Sequence, residues 1–227
     1  MLASQGLLHD SYLYGVDMKE TLPTFVSPTE VFDGAVVSGN CVSPGSKTTT
    51  YIHQNNPVID ELYKRHQKEL IFSGVIVTNE NVKLDDKKRS SDYTAKLAQL
   101  LDIEAAVISS EGFGNPTTDL MMNCRKLEQA GIDTVLISNE DAGVNGQSEP
   151  LPDSTPEADA IISAGNSNEL LLLPPLKEVY GRPEVLEQIT GGFAESKKED
   201  GSIEIEMHAM MSVHNELGYF NFSAREI

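Results

Sequence analysis

Cys41 stands in a setting that suits chemistry within the chain itself. It follows Gly39-Asn40, a flexible pair, and opens a loop-like stretch to Thr50 that holds Pro44, Gly45 and three consecutive threonines. A thiol presented to the preceding carbonyl attacks it and forms a thioester. β-Elimination then leaves a dehydroalanine at a new N-terminus, and tautomerisation and hydrolysis convert that to a pyruvoyl group. Such a sequence needs a base, an oxyanion stabiliser and a turn that offers the Asn40 carbonyl to the sulfur. Thr48, Thr49, Thr50 and His53 are the candidate helpers. On spacing alone, an ordinary buried cysteine near a strand end accounts for the same residues.

Other chemistry is less well supported by the residues. Gly112-Phe113-Gly114 begins like a dinucleotide loop, but Thr117 stands where the third glycine belongs, and there is no Gly-Lys-Ser/Thr for a triphosphate. A helix starting near Asn115 still offers N–H groups to a substrate carboxylate. The five histidines, His9, His53, His66, His208 and His214, make no ligand spacing with one another or with a cysteine, so no metal site is expected. Cys124 falls within a helical stretch and reads as a small core residue.

The elements that must position these residues alternate. Val31–Val37 reads as a strand leading into Cys41. Residues 57–70 read as a helix, with Asn56 as its cap and Pro57 in the first turn. Strands are expected at 71–78, 105–109, 134–138 and 160–163, and helices at 90–101, with Leu97, Leu100 and Leu101 as its apolar stripe, at 116–130, with Asn115 as its cap and Pro116 in first position, and at 183–189; residues 203–211 fit either. The fold class is therefore α/β: a mostly parallel sheet with helices on both faces, preceded by a short N-terminal segment holding the processing site. Ligands in such sheets sit at the carboxyl ends of the strands. That directs attention to the loops at 79–81, 110–115, 139–143 and 165–169. Their candidate substrate contacts are Asn79, Asn81, Gly112, Gly114, Asn115, Thr117, Asn166 and Glu169. Residues of these types also make good plain turns.

Composition narrows the function classes. At 227 residues, 39% hydrophobic and 23% charged, the chain can bury a sizeable core. Thirty-five acidic residues against 17 basic ones, a net charge of -18, argue against a nucleic-acid surface or an anionic membrane as partner. Two cysteines make no disulfide framework. The first ten residues lack the pattern of a secretory signal, and the apolar run from Leu170 to Leu176 is too short to span a bilayer. A cytoplasmic protein with reduced thiols is expected.

Longer motifs add a resemblance. The run from Asp33 to Val42, with Ser38-Gly39-Asn40-Cys41 near its end, resembles the processing region of the pyruvoyl-forming subunit precursor of component B of glycine, sarcosine and betaine reductases. The runs from Thr49 to Val58, from Val77 to Val82 and from Glu111 to Cys124 are similar to the same family. The similarity extends from about Tyr14 to the C-terminus.

The resemblance implies self-cleavage between Asn40 and Cys41, with Cys41 becoming a covalent pyruvoyl cofactor. It implies a selenocysteine-containing subunit of component B, a component A selenoprotein and an acetyl-phosphate-forming component C as partners, and a small amino acid or betaine as substrate. A substrate amine would condense with the pyruvoyl carbonyl, and a partner selenolate would displace the nitrogen at the substrate's α-carbon. Family precursors carry a long segment before the cleavage site, whereas forty residues precede Cys41 here. Residues 1–40 are accordingly expected to be a remnant of the first subunit, and 41–227 an α/β domain that becomes the pyruvoyl-bearing subunit. The alternatives are an unprocessed binding or structural subunit of the same complex, or a D-proline reductase-like subunit.

Overall fold

The structure, a computed structural model, describes residues 1–7, 10–39, 48–149, 151–178 and 180–209. The chain opens with β1 (Leu2–Leu7), β2 (Ser11–Leu13), β3 (Val16–Asp17), β4 (Thr24–Val26), helix α1 (Pro28–Phe32) and β5 (Val36–Ser38). Helices α2 (Thr50–Gln54) and α3 (Pro57–Arg65) follow, then β6 (Gly74–Asn79), α4 (Leu84–Leu100), β7 (Ala105–Ser110), α5 (Asn115–Gln129) and β8 (Asp133–Glu140). β9 (Ile161–Asn166), β10 (Leu170–Leu173) and β11 (Ile203–Glu206) complete the strands, with a 3-10 turn at Pro183–Gln188.

Six strands form the central sheet in the order β4-β6-β1-β7-β8-β9. All its pairs are parallel except β4 against β6. Side chains alternate across it, so each face receives its own apolar set. On one face Leu2, Ile76, Ala106, Ile108 and Leu136 meet Ala95 and Ala98 of α4 and Leu120, Cys124 and Leu127 of α5. On the other, Ala3, Leu7, Val75 and Val77 meet Val31 of α1 and Ile59 and Leu62 of α3. A three-stranded sheet, β3-β2-β5, adds Leu13 and Val36 to this second core. The expected α/β architecture with helices on both faces is present.

The N-terminal segment is not appended to this sheet; it supplies its interior. β1 is hydrogen-bonded on both sides, by β6 and β7. Leu-Ala-Ser-Gln-Gly-Leu carries too few branched apolar residues to read as a central strand, yet all six residues are buried.

Other boundaries shift for local reasons. The strand expected over 31–37 begins only at Val36. Ser27 starts helix α1 with a capping box completed by Glu30, so Val31 is helical. α3 stops at Arg65, with Gln67 beyond it at positive φ. β6 starts at Gly74, leaving Ile71 63% exposed. α4 starts at Leu84 and buries Lys87, Ser90, Ser91, Thr94, Ala95 and Ala98, while Leu100, expected in its apolar stripe, is exposed. Asn115 is the first residue of α5 rather than its cap; Gly114, at φ +84, takes that place. Among the described residues no helix is long and apolar enough to cross a membrane.

Candidate active site

From β1 the chain runs to β6 on one side, then returns across β1 through α4 to β7 on the other. Strand order reverses between β1 and β7, and open parallel sheets bind ligands in the crevice outside such a point. Two acidic residues stand there. Glu80 directly follows β6 and its N–H donates to the Leu7 carbonyl at 3.0 Å; Glu111 directly follows β7 and its N–H donates to the Gly6 carbonyl at 2.9 Å.

Alternation sends the two side chains to opposite faces. Gly6 pairs with Thr78 and with Ser110. Glu80, two residues after Thr78, shares the face of Gly6, where a Cβ added to Gly6 would stand 2.6 Å from Glu80 Oε1. Glu111, one residue after Ser110, turns to the face of α1 and α3.

There Glu111 is 1% exposed and densely bonded. The Ser11 hydroxyl donates to its Oε2 at 2.9 Å, the Thr48 N–H donates to its Oε1 at 3.0 Å, and His53 Nε2 lies 3.6 Å from Oε1. Ser11, Thr48 and His53 are themselves buried. A carboxylate is kept in such a place by donors of this kind. His53 is carried by α2, whose N-terminus is capped by the Thr49 hydroxyl accepting from Ile52 N–H. Thr50 Oγ1 accepts from Ser38 N–H at 3.0 Å.

Asn40 and Cys41 lie outside the described residues. The described positions on either side of 40–47 are held close to Glu111. Ser38 pairs with Ser11 across β2 and β5, and Gly39 N–H donates to the Asp10 carbonyl at 2.8 Å. Thr48 is bonded to Glu111 directly. Of the expected helpers, Thr49 caps a helix, Thr50 clasps the residue two before Asn40, and His53 lies beside a buried carboxylate. Among the described residues, neither ring nitrogen of His53 nor the Thr48 hydroxyl has a hydrogen-bond partner. Buried polar atoms are rarely left so, and these three suit a polar or proton-exchanging group brought to them.

Sequence reasoning named the loop containing Glu111 without assigning that residue a part, and it passed over Ser11. Nothing local marks a serine as the partner of a glutamate 100 residues away.

A second polar set lies around the carboxyl end of β6 and the start of α5. Asn79 Nδ2 donates to Asn81 Oδ1 and to the Thr21 carbonyl, both at 3.2 Å, and Asn79 Oδ1 accepts from the Ser90 hydroxyl at 2.7 Å. Asn115 Nδ2 donates to the Asn81 carbonyl at 3.3 Å. Lys87 of α4 donates to the Asn115 carbonyl at 3.0 Å and forms a buried ion pair with Asp119 of α5. Burial pushes the Asp119 carboxyl up to about 6, with Lys87 pulling the other way. Gly112, at φ +99, and Gly114 turn the chain from β7 into α5, and Thr117 is buried in its first turn. Asn79, Asn81, Gly112, Gly114, Asn115 and Thr117 are thus brought together.

Asn166 and Glu169 are not part of this gathering. They share the carboxyl end of the sheet, but β9 is four strands from β6, about 19 Å at the usual strand spacing. Asn166 closes its own edge, accepting from Ala142 N–H and Asn168 N–H and donating to the Gly143 carbonyl. Glu169 is exposed.

A family model described as glycine/sarcosine/betaine reductase component B subunits matches residues 1–225. The chain is 52% identical over 225 residues to the glycine reductase complex component B subunits alpha and beta of Peptoclostridium acidaminophilum, covering 99% of this chain and 53% of that protein. It is 50% identical to the sarcosine reductase complex component B subunit alpha of the same organism, with the same coverage. A more distant likeness, 26% over 148 residues, reaches the D-proline reductase proprotein PrdA of Acetoanaerobium sticklandii, covering 60% of this chain and 23% of that protein. The chain spans about half the length of the curated relatives it matches at 50% identity and above. No solved structure matches it.

Proposed function

The chain belongs to the glycine, sarcosine and betaine reductase component B subunits, and we propose that it is the pyruvoyl-bearing, substrate-activating subunit of such a complex, maturing by cleavage of its own Asn40–Cys41 bond. The observation that carries this reading is the tethering around Glu111. Ser38 and Gly39 on one side, and Thr48 and Thr50 on the other, are anchored at the switch point of the sheet, beside a buried imidazole whose nitrogens have no hydrogen-bond partner among the described residues. A segment held at both ends loses less freedom when it adopts a reactive turn.

The residues present fit a pyruvoyl group formed at position 41. His53 and the Thr48 hydroxyl are polar and buried and have no hydrogen-bond partner among the described residues, and Gly39 brings the backbone against Tyr12 with no room for a side chain. A pyruvoyl group supplies an electrophilic ketone beside an amide, able to engage a substrate amine. The chain's own residues then hold the preceding backbone, keep bulk water from His53 and Glu111, and offer N–H donors at the start of α5 to a substrate carboxylate. Asn79, Asn81, Gly112, Gly114, Asn115 and Thr117 are the proposed substrate contacts; Asn166 and Glu169 belong to the same end of the sheet.

Reductive deamination would be completed by a selenocysteine-containing subunit, with component A and component C downstream, in the cytoplasm. Identity of 50–52% to glycine and sarcosine reductase subunits, against 26% to PrdA, favours a glycine- or sarcosine-type substrate over D-proline. PrdA is described as a proprotein, which supports processing in the wider group. Intact-mass measurement on the purified chain tests the reading. It expects a piece of forty residues and a larger piece whose N-terminus resists Edman degradation and reacts with phenylhydrazine. A single uncut mass with a free thiol at Cys41, also in a full-length relative, would leave the unprocessed subunit as the answer.

A further inference from the structure

We propose that the pocket between the β10–β11 pair and the 3-10 turn at Pro183–Gln188 is a binding site for an amphipathic anion: a small molecule with a medium-length apolar body and one anionic head. The pocket belongs to the two-stranded sheet rather than the six-stranded one, and the proposal does not rest on the maturation reading.

The chain makes this concavity for local reasons. Pro174 and Pro175 follow the four leucines of β10 and, lacking N–H groups, do not extend its pairing with β11. The chain leaves the sheet there and comes back antiparallel in β11, with Ile203 opposite Leu173. Lys197 bridges to Ile203 as well. The buried Ile203, with Val185 and Leu186 of the turn and Pro175 and Leu176 beyond β10, lines a cavity of about 400 Å³. That volume falls within the roughly 300–1,000 Å³ of small-molecule sites. Ten described residues line it, whereas a stable protein interface takes about 20–30 residues a side. A small ligand therefore fits the pocket better than a partner's surface does. Leu176, Tyr180 and Ile189 at the cavity are exposed. Scattered singly they would call for no explanation, but here they gather at one concavity.

Charge selects the head of the ligand. Acidic residues outnumber basic ones 35 to 17 in the chain, yet the described lining holds Arg182 and Lys197 and no carboxylate. Among the described residues neither cation forms an ion pair, while the adjacent Lys198 is paired with Glu204 at 2.7 Å. Carboxylates close in sequence are engaged elsewhere: Glu178 accepts from the Tyr180 hydroxyl at 2.7 Å, and Glu187 from Glu195 N–H at 3.2 Å. Two cations beside an apolar cavity complement an anion whose tail the cavity takes out of water. The net charge of -18 repels polyanions over a longer range, which favours a single charge on the head.

Calorimetric titration of the full chain at neutral pH tests this with octanoate, 1-octanol, octylammonium and acetate. Octanoate should bind at a single site with a Kd below about 1 mM. Octylammonium, with the same body and the opposite charge, should bind at least about tenfold more weakly. Acetate, which lacks the body, should give no heat of binding. Arg182→Gln/Lys197→Gln changes two exposed positions and should fold normally. It should weaken octanoate about tenfold and leave 1-octanol within about twofold. Leu186→Glu, which places a carboxylate in the cavity, should abolish octanoate binding. No octanoate binding to the wild type, octanoate and 1-octanol bound alike, or unchanged octanoate affinity in the double variant would each overturn the proposal. So would a dimer in light scattering that Leu186→Glu dissociates, because the groove would then cover a second copy.

Discussion

Gly39 lies flat against the ring of Tyr12: a Cβ at position 39 would stand 2.1 Å from Tyr12 Cε2 and 2.8 Å from Cδ2. The backbone cannot retreat easily, because Gly39 N–H is bonded to the carbonyl of Asp10, two residues before Tyr12. Gly39→Ala should therefore cost about 1–3 kcal/mol in denaturant melts and slow the proposed cleavage of the Asn40–Cys41 bond. Adding Tyr12→Ala should recover much of both losses. Strictly additive effects in that double-mutant cycle would show that the contact does not matter.

Cleavage after position 40 should not release the small piece. β1 sits between β6 and β7, and Leu2, Leu7, Met18, Val31 and Val36 are fully buried. Each such side chain contributes about 1.5–3 kcal/mol. Both pieces should co-elute in gel filtration under native conditions and separate only in denaturant. A forty-residue fragment eluting alone from folded protein would contradict this.

The Lys87–Asp119 pair predicts a pH signature. Burial pushes the Asp119 carboxyl from its ordinary value of 3.8 up to about 6 in the folded chain, outweighing the pull of Lys87. The folded state thus favours the protonated acid. That stability is fully present below pH 3.8 and is lost as pH rises through about 6. Measured against Asp119→Asn, which is neutral throughout, the wild type should lose stability over that interval. Lys87→Met should steepen the loss by removing the cation that partly offsets burial. Parallel stability curves for wild type and Asp119→Asn would be the wrong outcome.

The purified chain should show no steady reductase turnover with glycine, sarcosine or betaine. It contains no selenocysteine, and a pyruvoyl group activates a substrate without supplying electrons. Sustained product formation with dithiothreitol as the only reductant would sink the proposed dependence on a selenocysteine-containing partner.

What the amino-acid sequence determined by itself is local or motif-borne. Asn56 and Pro57 announce the start of α3, and Asn56 Oδ1 does accept from Val58 N–H and Ile59 N–H, since a cap and its donors lie within three residues. The β-branched runs of β7 and β8 read as strands for the same reason, and the long motif ending at Asn40-Cys41 carried the family likeness. Tertiary structure alone decided the rest. Leu2–Leu7 is the central strand because two later strands flank it, not because its composition demands burial. α4 turns Lys87, Ser90 and Thr94 inward because α5 brings Asp119 to meet the lysine. Ser11 finds Glu111, and Asn166 lands about 19 Å from Asn79, because strand order in a doubly wound sheet differs from chain order. Periodicity and capping act over a few residues, whereas which strand lies beside which is settled by burying both faces at once.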